Sequence, residues 1–513
     1  MLPRPFPALL GANRLGSALL PLLMIVSLSA SGAAALSSTD HSQTGSADTW
    51  MSTPASTGTS TGTTLKDIRK IIGADQGAAA ALSGAGVGVA LLDTGVAPVA
   101  GLPGAQIVNG PDLSFESQTS DLRYLDTYGH GTHLAGIIIG NDTATSTVGI
   151  APKAKLTSIK LGTGNGAVDV SQVIAGLDWV VQHRGDDAAN PIRVIALAYG
   201  SAGKPTRLTD PLQFAVERAW KAGIVVVVAA GNDGNNTTTL TNPAADPFVL
   251  AVGAADTNGT LSTGDDTLSA YTNLTEGHRQ PDVLAPGQSV VSLRDPGSMI
   301  DNSFPSARTG TTLFRGSGTS QATAVTAAAV ALLLQSRPTL TPDQVKDVIA
   351  RGTAITSGLG ATQSLHELNL STALALKPYS TASQTSEVAS GTGGLDGARG
   401  SSRVVVNGIE LKGDRTVLGS FSGSAHATAA LAGTAWKGGL WLGVRMAGDG
   451  WTGTSFASKT WSAATWPGSP WGGPTSWQDP SWQGRFWAGR FWAATTWSGR
   501  FWASEDWSTA AWK

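Results

Sequence analysis

Gly316-Ser317-Gly318-Thr319-Ser320-Gln321-Ala322-Thr323-Ala324 runs directly into the small and aliphatic residues Val325 to Leu334. The glycines set Ser320 on tight backbone, and the run that follows has helical composition. A serine in the first turn of a buried helix has two readings. Its hydroxyl can accept an orphan amide hydrogen bond and cap the helix. It can also be a nucleophile, held where the positive end of the helix favours a developing anion. Alone, the pattern favours the cap. A histidine, an aspartate and an oxyanion donor elsewhere in the chain would reverse that preference.

Candidates for all three occur upstream. Val87 to Leu92 is an unbroken apolar run of strand length that ends at Asp93-Thr94-Gly95, as a buried parallel strand would. An Asp just past such a strand end is either a turn former or a charge-orienting carboxylate. Tyr128-Gly129-His130-Gly131-Thr132-His133-Leu134-Ala135-Gly136 leads into Ile137 to Ile139, with small residues that leave the His130 imidazole accessible. His130 and His133, three apart on a helix, also raise a metal reading, but no acidic ligand stands at matching spacing within that helix. Strands at Leu156–Leu161, Arg193–Ala198, Ile224–Ala230 and Phe248–Val252 alternate with helices at Val168–His183 and Pro211–Ala222. That alternation predicts an α/β fold, a central parallel sheet covered by helices in three layers. Right-handed crossovers would then place Asp93 and Asn232, the latter following Ile224–Ala230, on one edge of the sheet. Pro281–Gly287 reads as a rigid connection, residues 294–315 as a polar insert, and Thr341-Pro342-Asp343 as a capped helix start.

The chemistry needs each member of the set Asp93, His130, Ser320. A hydroxyl is a weak nucleophile until a base takes its proton, which an imidazole near neutrality does well. A carboxylate fixes the tautomer of that imidazole and stabilises its protonated form. Asn232 is a candidate donor to the oxyanion, or a turn-forming Asn after glycine.

Together these segments resemble the subtilisin-like serine proteases. Asp93-Thr94-Gly95 is similar to the family's aspartate motif, Gly129 to Gly136 to its histidine motif, Ala229-Ala230-Gly231-Asn232 to its oxyanion motif and Gly318-Thr319-Ser320 to its serine motif. Pro281 to Gly287 resembles a further family block. The resemblance covers about residues 65–377 and implies endopeptidase activity through an acyl-enzyme. It also implies that Ala198-Tyr199-Gly200 lines the substrate cleft and pairs with a polypeptide substrate as an added strand. Tyr199 stands where a smaller aliphatic residue is usual. Gln321 and Ala324 replace a common Met and Pro. No cofactor is implied. Calcium sites are frequent in the family, yet the sequence offers no assignable ligand cluster and no metal residue is named.

Composition and the chain ends set the address. The 513 residues carry 34 Lys+Arg against 36 Asp+Glu, so nothing suggests binding to nucleic acid or an anionic membrane. The absence of cysteine excludes disulfides and thiolate chemistry. Residues 1–35 read as a signal peptide: Arg4 and Arg14, an apolar core from Ala18 to Leu28, then Ala33-Ala34-Ala35. The core is shorter than a spanning helix needs, so the mature chain is expected to be secreted, extracellular or cell-surface associated, without a transmembrane anchor. Residues 36–64 are Ser-, Thr- and Gly-rich and read as a disordered linker, too short and polar to resemble a family propeptide. A second linker is expected over 378–402 and a Trp-rich repeat tail over 403–513. There Trp recurs every five residues from Trp477, and Gly-Arg-Phe-Trp starts at Gly484, Gly489 and Gly499. A period of five fits neither helix nor strand. The tail is either a collapsed low-complexity segment or a binding module for a cell-wall or envelope partner. The alternative to a protease is accordingly a non-catalytic envelope-binding protein that uses this tail.

Overall fold

The computed structural model describes residues 62–445 except 115, 118–121, 204–205, 235–238, 275–278, 356–364, 407–408, 417–418 and 438–439, together with the backbone of Gly499–Phe501. Residues 1–35, read above as a signal peptide, and most of the Trp repeat lie outside the described residues. No helix among the described residues is long and apolar enough to cross a membrane.

The central sheet is built from the apolar runs. Its strands are β1 (Gly88–Asp93), β2 (Ile107–Asp112), β3 (Lys155–Lys160), β4 (Ile192–Leu197), then, beyond the short edge segment β5 (Tyr199–Ser201), β6 (Val225–Ala229), β7 (Leu250–Asp256) and β8 (Val283–Pro286). These lie in the order β2-β3-β1-β4-β6-β7-β8, every neighbouring pair among them parallel; Leu365–Glu367 extends the sheet parallel to β8, Thr353–Ile355 pairs antiparallel beyond it, and Thr267–Leu268 pairs antiparallel with β7. Residues of β1, β6 and β8 are buried on both faces, which is why these segments read as continuous apolar runs. From β1 the chain goes to one side for β2 and β3, then crosses to the other for β4. A crevice at the carboxyl ends of β1 and β4 is the geometric result.

Helices cover both faces: α1 (His130–Ile139), α2 (Val170–His183), α3 (Pro211–Lys221) and α4 (Thr319–Ser336). The serine helix α4 is buried from Thr319 to Leu334 and packs against β4, β6, β7, β8 and α1. Its Ala-rich surface lets it lie close to the sheet, and its helical pattern is apolar all round because it has no solvent face.

Three expectations are modified. Pro281–Gly287 is not only a connection, because Val283–Pro286 is a paired strand. Its single apolar stretch was too short to read as one. The polar insert holds a short helix at Met299–Ser303 and a strand, Leu313–Gly316, antiparallel to Val290–Leu293. At the end of the stretch read as a disordered linker, Thr63–Thr64 pair with Val290–Val291, and the Thr64 side chain caps the helix Leu65–Ile71.

Past residue 377 the described chain continues to pack on α2 and α3. Arg399, fully buried, donates from Nε to Asp169 Oδ1 at 2.7 Å and from Nη2 to Oδ2 at 3.2 Å. Asp169 is the N-cap of α2, with Gln172 completing a capping box. Asp178, on α2, accepts from Trp441 Nε1 and meets His426 Nε2, both at 2.9 Å. Trp436 donates from its indole to Ala175 O at 2.7 Å. These contacts join residues distant in sequence, so local pattern gave no sign of them.

Candidate active site

Asp93 closes β1 and is almost fully buried. Its Oδ1 accepts from the Thr94 amide at 2.8 Å and lies 2.9 Å from His130 Nδ1, with Oδ2 at 3.1 Å. A near-symmetric bidentate approach of this kind fixes Nδ1 as the protonated nitrogen and leaves Nε2 as the basic one. Two glycines permit it. Gly129, the N-cap of α1, has φ 100°, in the left-handed region, where a side chain would strike Ser298. At Gly131 an added Cβ would collide with the Gly95 carbonyl oxygen and stand 3.1 Å from Asp93 Oδ1.

Asp126 is the residue that sequence reasoning missed. Its Oδ1 accepts from Gly129 N at 2.7 Å and from the Thr94 hydroxyl at 2.8 Å. Its Oδ2 accepts from the amide and hydroxyl of Thr132, each at 2.7 Å. Thr94 Oγ1 in turn accepts from Gly131 N at 3.0 Å. Asp126 thus ties the first turn of the histidine helix to the residue after Asp93. Burial raises its carboxyl against the pull of these donors. An acidic residue just ahead of a predicted helix start was the available signal.

His133, three residues on from His130, lies on the same helix. It is buried, and desolvation followed by the neighbouring His130 pushes it down to about 3, so it stays neutral. Among the described residues no group of at least 3 His, Asp or Glu side chains could hold a metal ion.

Ser320 does not occupy the helix-cap position. The N-cap of α4 is Gly318, with no side-chain cap bond, and Ser320 is the second helical residue, fully buried. The amide of Thr319 is satisfied instead by Asn232 Oδ1 at 2.9 Å, which also accepts the Thr319 hydroxyl at 2.8 Å. Asn232 is therefore no mere turn former. With Oδ1 engaged, its Nδ2 is buried and without a hydrogen-bond partner among the described residues, 3.2 Å from where a Cβ on Gly318 would stand. The loop that holds it requires Gly231, whose φ is 114° and whose Cβ would meet Asn273 and Thr241.

Ala198 and the strand β5, which carries Tyr199 and Gly200, follow β4 at the same crevice. Tyr199 is buried, and desolvation followed by Asp169 raises its hydroxyl, so it remains a neutral phenol. On the backbone, Gly499–Phe501 pairs antiparallel with β5, Phe501 opposite Tyr199. Lys160, at the end of β3, donates to Thr94 O at 2.8 Å and Gly162 O at 2.9 Å and pairs with Glu116 at 3.0 Å, bracing the loop after Asp93.

A doubly covered parallel sheet, a buried Asp–His pair at one strand end and a serine helix packed on that sheet thus occur in one domain. The chain matches the Subtilase family over residues 84–393 and belongs to it. Its folded domain is a subtilisin-like domain of that family, and the chain spans less than two thirds of the length of the first relative below. Over 281 residues it is 39% identical to serine protease AprX of Bacillus subtilis, covering 53% of this chain and 62% of that protein. It is 34% identical to subtilisin DY of Bacillus licheniformis over 54% of this chain and 87% of that one. Among solved structures, fervidolysin from Fervidobacterium pennivorans is 25% identical, with a TM-score of 0.48 over 62% of this chain and 46% of its own.

Proposed function

We propose that the chain is an exported serine endopeptidase acting on polypeptide through Asp93, His130 and Ser320. Ser320 Oγ attacks the scissile carbonyl carbon while its proton passes to His130 Nε2. Asp93 holds the ring and stabilises the imidazolium. The carbonyl oxygen, now an anion, is met by Asn232 Nδ2. Collapse expels the amine, which takes the proton from His130 and leaves the acyl on Ser320. A water then attacks the acyl carbon, giving its proton to His130, and the acid leaves as Ser320 recovers its proton. The main chain of Ala198, Tyr199 and Gly200 offers an edge for an extended substrate, consistent with the antiparallel partner that β5 accepts. Export rests on the apolar segment Ala18 to Leu28 and its small-residue end.

The observation that carries this reading is the clamp of Asn232 Oδ1 on Thr319, one residue before the serine, which turns an unpartnered amide toward the nucleophile's end of α4. A fluorophosphonate probe tests it. The folded protein should label at Ser320, and Ser320→Ala should not. Equal labelling of both, or none of the parent, refutes the protease.

A further inference from the structure

Gln321 follows the serine on α4 and is fully buried. Among the described residues, neither its Oε1 nor its Nε2 has a hydrogen-bond partner. The surrounding positions of the helix are Ala, Val, Leu and Thr, so an apolar side chain would fill the same space without leaving an amide unsatisfied. The direction of the carboxamide explains what it is for. A Cβ placed on Gly318 would stand 2.9 Å from Gln321 Oε1 and 3.2 Å from Asn232 Nδ2. Two unpartnered carboxamides therefore border the same small space, kept open because residue 318 is glycine. Asn232 is locked in one orientation by Thr319. Gln321 is not, and a half turn of its terminal amide exchanges Oε1 for Nε2 with little change of shape.

We propose that Gln321 is a second side-chain donor to the oxyanion, its Nε2–H bonding the substrate oxygen alongside Asn232 Nδ2 as negative charge forms. The inference rests on the protease reading above. No bond to Gln321 forms or breaks and its protons stay on nitrogen. It acts as a dipole that is unsatisfied in the free enzyme and satisfied when the charge appears, a difference that accelerates the chemical step rather than tightening the ground state.

The test compares full-length parent, Gln321→Met and Gln321→Glu, with fluorophosphonate titration counting competent sites. Methionine is common at this position in the family, so the variant should fold. Per titrated site, Gln321→Met should lower kcat on a fluorogenic peptide about tenfold at unchanged KM, less than the ~10²–10³ of a principal oxyanion donor. It should weaken a peptide boronate inhibitor by a similar factor. Gln321→Glu should lose more activity as pH rises and the carboxylate ionises beside the oxyanion. In an Asn232→Ala background the Gln321→Met effect should shrink, since both amides serve one oxygen. A parental kcat per site in Gln321→Met, a loss confined to KM or to the number of competent sites, or strict additivity with Asn232→Ala would overturn the assignment. A parent that fails to label would instead sink the protease reading itself.

Discussion

Replacing Gly131 by alanine sets two known effects against each other. Helix propensity favours alanine in α1 by about 1 kcal/mol. Packing opposes it, because the new methyl would overlap the Gly95 carbonyl oxygen and press on Asp93 Oδ1 from 3.1 Å. Both neighbours are rigid. Gly95 follows the end of β1, and Asp93 is held by Thr94 and His130. Relief requires the first turn of α1 to withdraw by about 1 Å, and a displacement of that size at a reacting group costs about 10²-fold in rate. Overpacking of this kind also costs ~1–3 kcal/mol, which outweighs the propensity gain. The expected result is a protein that still folds, with melting temperature lowered by a few degrees, and kcat on a fluorogenic peptide reduced about a hundredfold. Gly185→Ala serves as the control, since nothing lies near an added Cβ there. If Gly131→Ala keeps the parental kcat, the claim that close approach of α1 sets the Asp93–His130 geometry is wrong.

Three further outcomes are expected. Asn232→Ala should lower kcat by ~10²–10³ with little change in KM, read by steady-state kinetics; a change confined to KM would contradict the donor role. Arg399→Met leaves Asp169 buried without its partner and should cost ~3–5 kcal/mol in urea unfolding, whereas a loss under 1 kcal/mol would mean the pair is solvated in solution. Burial, then the neighbouring Asp266, pushes Glu367 up to about 10. A carboxyl raised in the folded state binds more protons there than in the unfolded chain, so its effect is neutral below the unfolded value and stability is lost as pH climbs toward about 10. Glu367→Gln should therefore flatten the fall in melting temperature between pH 5 and pH 9, and parallel curves for parent and variant would exclude this cause.

The sheet was legible because burial on both faces writes itself as uninterrupted apolar runs, Val225–Ala229 being the plainest. Asp93, His130, Asn232 and Ser320 stood out because each lies within two residues of a glycine that the close approach of backbone requires. Asp126 was only faintly legible, as an acidic residue ahead of a helix start, because the amides and the Thr94 and Thr132 hydroxyls it ties together are recognised only once the fold is known. The strand Val283–Pro286 was hidden by its length and by the flanking prolines. Arg399 and His426 were hidden for a different reason. Charge and imidazole in a polar stretch suggest solvent, and only their distant partners Asp169 and Asp178 explain their burial.

Asp169 has two attachments at once: it starts α2 and it receives Arg399 from beyond the family-matched region, which ends at residue 393. The boundary of kinship and the boundary of the folding unit consequently differ. A shortened protein cut where resemblance stops would keep the Asp–His–Ser segments yet strand a carboxylate at the head of a core helix and strip Trp436 and Trp441 from its flank. For anyone transplanting this domain, the natural unit of inheritance is longer than the sequence that names its family.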